Sequence, residues 1–462
     1  MGFLVNGSIL NSDISKRFYN RKEQENVFID TMSIENPIKK VYPGDFNPEL
    51  CTIPKVLNTT IHPLVSSFFG LGNDRIITRY TKLNPQVDVN VLRNCLEYEP
   101  KFYKWAGADL FNVIDSNAKR QMIIIESGSS PAGQYAMPSL NINNKRQNGY
   151  KLVIQTAFKQ ALKDADPSLG ELAVVYDKAS NEIETARYAA AISEETKEHV
   201  WIVMLQYDAR YEQPIKWENQ IMYIRDQDGA GGHNKVMASK SFELFNNELS
   251  GSGLAIRFPE TICNVNKSEI SSCIEKMGGH EVVKVPYGRQ GVYTITNLEE
   301  LKGFFDASQH YEKFIVQSLV ENALWSTKLY PGKFYHIGTV PDRHDRIFVN
   351  DLRIMVSADE TGFHPVAIRL RRAHKPLPTY LPNDSNRSEW ISEYERVIKI
   401  DQKEFDIIGL GIDELIDAYV QTVLSTIAID KMCQKLLVNN EFNVELYHTL
   451  NPDDVLISEL LL

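Results

Sequence analysis

Apolar runs of two different periods mark out most of the chain after residue 118. KRQMIIIE (119–126) is a short apolar run closing on a glutamate, which predicts a buried strand. The stretch ESGSSPAG that follows is a turn signal. YKLVIQTAFKQALKDAD (150–166) has helical spacing, ELAVVYD (171–177) reads as a strand, and NEIETARYAAAISEET (181–196) as an Ala- and Glu-rich helix. HVWIVMLQYD (199–208) and QIMYIRDQDG (220–229) are two more strands. Strands alternating with helices predict parallel pairing through crossovers.

A second block begins with NKVMASKSFELFNNEL (234–249), which has helical spacing. GHEVVKVPYG (279–288) is a strand running into a glycine turn, and NLEELKGFFDAS (297–308) a helix capped by Asn297. KFIVQSLVE (313–321) is a strand. RIFVNDLRIMVSAD (346–359) and FHPVAIRLRRA (363–373) alternate like an antiparallel pair. HKPLPTYLPNDSN (374–386) then reads as a Pro-rich linker, with ISEYERVIKIDQKEF (391–405) and DELIDAYVQTVLSTIAIDKMCQKLL (413–437) helical beyond it. Residues 1–100 are rich in Asn and Pro and show weak periodicity.

With 462 residues, 43% of them hydrophobic and 24% charged, the chain has globular composition and enough apolar material for a sizeable core. The net charge of −10 and the lack of a basic run argue against a nucleic-acid partner. No window of about 18 consecutive apolar residues suggests a membrane span. The first residues are too polar for a signal peptide, and Asn6 stands where a myristoylation signal wants Ser or Thr, so an ordinary start is expected. Five scattered cysteines without a C-x-x-C pair indicate neither zinc nor a disulfide framework, and the simplest expectation is a reduced, cytoplasmic protein.

Four constellations could carry chemistry. Lys284 ends a β-branched run and is followed by Gly288 and Gly291. A half-buried ammonium needs an anion, and two glycines let backbone approach one closely. The alternative is a hairpin with a surface lysine, and the spacing is not that of a P-loop. Asp351 and Arg353 share one strand face by the period of two, with Arg369, Arg371 and Arg372 on the next strand. Such a cluster either grips an anion or forms a cross-strand ion-pair ladder. Asp109 and Glu126 could be hard oxygen ligands for Mg²⁺, or a capping aspartate and a strand-end glutamate. Gln317 closes an apolar strand that could meet an adenine edge, or could simply leave the core.

Taken in order, these stretches resemble the circularly permuted ATP-grasp family, regarded mostly as peptide or amide ligases and distantly akin to glutathionylspermidine synthetase. GADLFNVID…RQMIIIESGSSPAGQY is similar to the family's aspartate strand and E-D-N…P-S-G element, here placed ahead of the lysine loop. GGHNKVMASK resembles its D-K helix start, with Asn234-Lys235 in that place. EVVKVPYGRQGVY resembles V-x-K-P…G-G-x-G, FIVQSLVENALWST the hinge strand, PDRHDRIFVNDLRIMV the R-H-x-D-L-R element, and AIRLRRA the arginine strand after it. The likeness covers roughly residues 100–375. Two departures stand out: Gly128 occupies the place of the family's asparagine, and Arg289-Gln290 replace loop glycines.

The resemblance implies a mixed α/β (α+β) chain with a circularly permuted ATP-grasp fold and an inserted α/β unit. It places metal-ligand strands in 1–150, the inserted unit in 151–230, the nucleotide-binding core in 231–375 and a helical region in 376–462. It implies an ATP-dependent carboxylate–amine ligase working through an acyl phosphate. Lys235, Lys284, Gly288, Gly291 and Gln317 would bind ATP, Asp109 and Glu126 would hold Mg²⁺, and Arg353, Arg372 and Asp351 would carry catalysis. The partners implied are a small carboxylate and an amine (amino acid, peptide or polyamine), with a homodimer as the base-rate expectation. Two alternatives stay open: an ATP-grasp kinase, and a degenerate nucleotide-binding protein.

Overall fold

The computed structural model describes residues 38–52, 56, 59–128, 134–137, 148–159, 162, 171–176, 182–204, 223–224, 234–286, 292–307, 311–323, 328–378, 396–398, 400–401, 404–438 and 441–451. Gly288 and Gly291 lie outside these residues, as do 129–133 of the expected turn. The chain divides into two compact units, residues 1–53 with 166–224 and residues 54–165 with 225–462.

The smaller unit holds a four-stranded sheet of β1 (Ile38–Val41), β4 (Ala173–Tyr176), β5 (Val200–Met204) and β6 (Tyr223–Ile224), in the order β1-β5-β4-β6. β4 pairs in parallel with both β5 and β6, as the alternating pattern predicts. The crossover is α4 (Glu182–Thr196), which packs on β4 and β5. Its buried Ala186, Ala189, Ala190 and Ala191 are small enough for close approach. β1 adds antiparallel to β5. Its sequence, IKKV, is too short and too basic to announce itself.

Two large sheets and a two-stranded ribbon, Leu437–Val438 with Glu441–Phe442, belong to the larger unit. The seven-stranded one contains β2 (Trp105–Ile114), β3 (Arg120–Gly128), β11 (Glu321–Asn322), β12 (Tyr335–His336), β13 (Asn350–Asp359), β14 (Gly362–Arg372) and β15 (Arg396–Ile398). Its central row runs β3-β2-β13-β14-β15, antiparallel throughout. Leu110, Ile124, Leu352 and Leu370 are cross-strand neighbours at 0–1% exposure and form an apolar row. Their chain neighbours Asp109, Arg353 and Arg369 therefore share the opposite face.

The other sheet is the four-stranded β7-β10-β8-β9, from β7 (Thr261–Asn266), β8 (Glu281–Lys284), β9 (Val292–Ile295) and β10 (Lys313–Ser318). One face carries Val265, Val283, Ile295, Phe314 and Val316 into a core shared with α6 (Ile270–Met277) and α7 (Leu298–Asp306). Asn297 caps α7 through the amides of Glu299 and Glu300, as its sequence predicts. Lys284 and Gln317 project from the other face by alternation.

The long helix α8 (Ile412–Leu436) packs on β2, β3 and β13 and is buried along most of its length. Polar links fix its register. Gln421 accepts from the Arg257 amide at 2.7 Å and donates to the Ala255 carbonyl at 2.9 Å. Asp430, fully buried, accepts from the Tyr98 hydroxyl and the amides of Lys101, Phe102 and Tyr103. Three helices in the weakly periodic region, α1 (Pro63–Phe69), α2 (Gly72–Leu83) and α3 (Val89–Leu96), also pack on α8.

One expected element is corrected. Within 391–405, read as helical, Arg396–Ile398 form the strand β15 against Leu370–Arg372 of β14. The open edge of β14 offers unpaired backbone groups, and the β-branched Val397 and Ile398 suit a ladder. Among the described residues no helix is long and apolar enough to cross a membrane.

Candidate functional site

Lys284 is the last residue of β8 and only 9% exposed. Its ammonium donates to the Gln317 side-chain oxygen at 2.7 Å and lies 3.5 Å from the Ile125 carbonyl. Gln317 is oriented in turn, donating to the Thr261 hydroxyl at 2.9 Å. Both acceptors of the lysine are thus neutral oxygens. Burial pushes the Lys284 ammonium down to about 8; the nearby Glu126 charge opposes the shift and the Lys235 charge adds to it. A cation held this way is available to an external anion.

Lys235 opens α5 (Lys235–Glu248), whose start is capped by the Asn234 side chain on the Met237 amide. The Lys235 amide donates to the Pro286 carbonyl at 3.0 Å, tying the helix start to the segment just after Lys284. From the seven-stranded sheet comes β3, which contains a bulge. Asp109 pairs with Glu126 and Leu110 with Ile124, so Ile125 is an extra residue without a ladder partner. Its carbonyl is the one that Lys284 approaches. Glu126 beside it is exposed.

A second group of charges occupies the same sheet face. Glu126, Asp109, Arg353 and Arg369 are successive cross-strand partners on β3, β2, β13 and β14. Arg353 grips Asp109 through two bonds, 2.5 and 2.7 Å long. Arg371 reaches Asp109 at 2.7 Å and binds Asp351 through Nε at 2.9 Å and also through its Nη2. Burial alone would raise the Asp109 carboxyl; the Arg353 and Arg371 guanidiniums outweigh that and hold it well below the usual carboxylate range. Gln134–Ala136 pack on β14 beside the cluster. Tyr135 lies over the Arg369 guanidinium, 5.1 Å from ring centroid to carbon, and a Cβ placed on Gly149 would meet Gln134 and Ala367 at 3.0 and 3.3 Å.

The structure brings Lys284, Gln317, Lys235 and Glu126 together where the two sheets meet. Asp109, Asp351 and Arg353 sit along the same face as a closed ionic network. Arg372 is turned away: it pairs with Asn350, and its guanidinium stacks over Phe348 at 4.1 Å. Arg371, one residue earlier, occupies the cluster instead. Spacing alone could have separated them, because Arg369 and Arg371 share a face and Arg372 cannot. Tyr135 had no sequence signal beyond following a turn.

As a Mg²⁺ site the Asp109–Glu126 pair does not fit while this network holds, since both Asp109 oxygens accept from guanidiniums. Glu126 alone is open. Among the described residues no three His, Cys, Asp or Glu side chains gather as a metal site.

No family model matches the chain, and no curated protein does. Solved structures similar to it are ATP-grasp and related proteins. A glutathione synthetase-like effector from Globodera pallida aligns with 79% of this chain and 95% of its own at 8% identity, with a TM-score of 0.35. The RimK domain ATP-grasp protein from Sphaerobacter thermophilus covers 42% and 90% at 13% identity and 0.22. D-alanine–D-alanine ligase from Bacillus anthracis covers 55% and 97% at 13% identity and 0.23. At scores this low the likeness fixes neither the fold nor the activity.

Proposed function

We propose that this chain is an ATP-dependent carboxylate–amine ligase of the permuted ATP-grasp kind. The observation that carries the reading is the buried Lys284 ammonium, satisfied by neutral oxygens and set beside Lys235 and Glu126 at the meeting of two sheets. Bound ATP would supply a γ-phosphoryl group to activate a carboxylate, and an amine would then displace phosphate. Lys284 and Lys235 would take the phosphate oxygens. Near an effective dielectric of about 20, two unit charges ~4 Å apart interact by about 4 kcal/mol, so two cations materially lower the repulsion between phosphates and an incoming carboxylate. Gln317, already oriented by Thr261, holds the lysine in line with the cleft. Arg353 and Arg371, bound to Asp109 and Asp351, form a fixed, charge-balanced wall rather than mobile clamps. No step here depends on a magnesium ion held by Asp109.

One observation favours nucleotide binding without catalysis as a second reading: the closed Asp109–Arg353–Arg371 network leaves a single open carboxylate at the cleft. The separating experiment is incubation of the full chain with Mg-ATP and pooled amino acids and polyamines. ADP release with a new amide in the mass spectrum is the expected result. ADP binding without either product supports the second reading, and no nucleotide binding at all removes both.

A further inference from the structure

Charge on the ionic face is unevenly paired. Asp109 and Asp351 are taken up by Arg353 and Arg371, Glu126 stands at the far end of the row, and Arg369 is left beside them. Each of the four oxygens of Asp109 and Asp351 already accepts from Arg353 or Arg371. None accepts from Arg369, whose Nε–H is buried with no acceptor among the described residues. Its neighbour is the Tyr135 ring. A cation–π contact does not by itself offset the desolvation that a buried charge costs. A planar fork with no carboxylate of its own among the described residues and a ring on one flat side suits a carboxylate.

The position of Arg369 says which carboxylate. It stands three strands along the row from Glu126 on β3, the strand that meets Lys284. At ~4.8 Å per strand the backbone separation is roughly 14 Å. A carboxylate that attacks phosphorus must sit about 3 Å from it, at the Lys284 end. We propose that Arg369, backed by Tyr135, is the specificity-determining receptor for a second carboxylate on the acid substrate, which is therefore a diacid with a spacer of several bonds. This rests on the ligase reading only for which end reacts.

The test is calorimetric titration of the full chain with glutarate, adipate and pimelate and with the monomethyl ester of each, with and without ADP. At least one diacid is expected to bind ten times or more tightly than its own ester. Arg369→Gln should bring the two to within twofold while ADP affinity stays unchanged. Arg369→Lys, keeping the charge and losing the fork, should fall between, and matched thermal melts show whether either variant is folded. Equal affinity of diacid and ester in the parent chain, no diacid binding, or discrimination surviving in Arg369→Gln overturns the proposal. Discrimination without any ADP binding leaves the diacid site standing and removes the ligase reading.

Discussion

The two large sheets of the larger unit bury charge in opposite ways. In the seven-stranded sheet, Asp109 and Asp351 are buried against Arg353 and Arg371, carboxylate to guanidinium, and the groups satisfy one another. In the four-stranded sheet, Lys284 is buried against an amide oxygen and a backbone carbonyl, which solvate it without neutralising it. Those four groups are complete among themselves, whereas Lys284, like Arg369 at the end of the row, has no carboxylate bound to it among the described residues. The difference teaches where to look for a ligand, because a closed network has little affinity left for one and an unneutralised cation has most of its own.

The largest expected effect comes from opening the closed network. Asp109→Ala leaves two guanidiniums without their shared carboxylate and should destabilise the fold by about 3–5 kcal/mol; urea unfolding measures it. A loss below about 1 kcal/mol would mean that these charges are solvated rather than paired. Arg353→Ala should likewise act first on stability, by orphaning Asp109, and not on turnover alone.

Next is Lys284→Met. Nucleotide affinity by calorimetry should fall by a factor on the order of a hundred, about 2.7 kcal/mol. Thermal stability should rise at the same time, because an ammonium that burial pushes down to about 8 no longer has to be desolvated. A variant that loses stability and keeps ADP binding reverses the comparison.

A milder probe is pH. The Lys284 ammonium is charged below about 8, so ADP affinity should be flat up to about pH 7 and fall by up to about tenfold per unit above pH 8. Stability has the opposite sign. Between about 8 and 10.5 the unfolded chain holds a proton that the folded one has released, so the Lys284 contribution to stability improves as pH rises through that window. Smallest is Arg372→Ala, which removes a stacking contact over Phe348 on the other face. It should cost about 1 kcal/mol or less and change ADP affinity less than threefold.

Much of this was legible in the chain because it depends on local periodicity. The alternation of NDLRIMVSAD and FHPVAIRLRR marks β13 and β14, and the β-branched run before Lys284 marks its strand. Pairing partners were not legible. That Asp109 faces Arg353 follows from a ladder joining residues 244 apart, and nothing near either residue announces it. The same holds for β15, where pairing with the edge of β14 at Leu370–Arg372 overruled a helical reading. α1 to α3 escaped because each is short and leans on α8 for its burial. The side of the strand on which Arg371 and Arg372 fall was readable from alternation once the face of Arg369 was known.

The surplus residue at position 125 has a consequence of its own. Deleting Ile125 would leave every pairing on either side intact, Asp109 still opposite Glu126 and Leu110 still opposite Ile124. The hairpin would lose a kink and gain a smoother ladder, at the cost of the Ile125 side chain packed against the core of Phe111, Val113 and Ile123. It would also lack the carbonyl oxygen on which the lysine of the other sheet rests. Such a deletion would reshape the cleft while keeping the ladder that borders it.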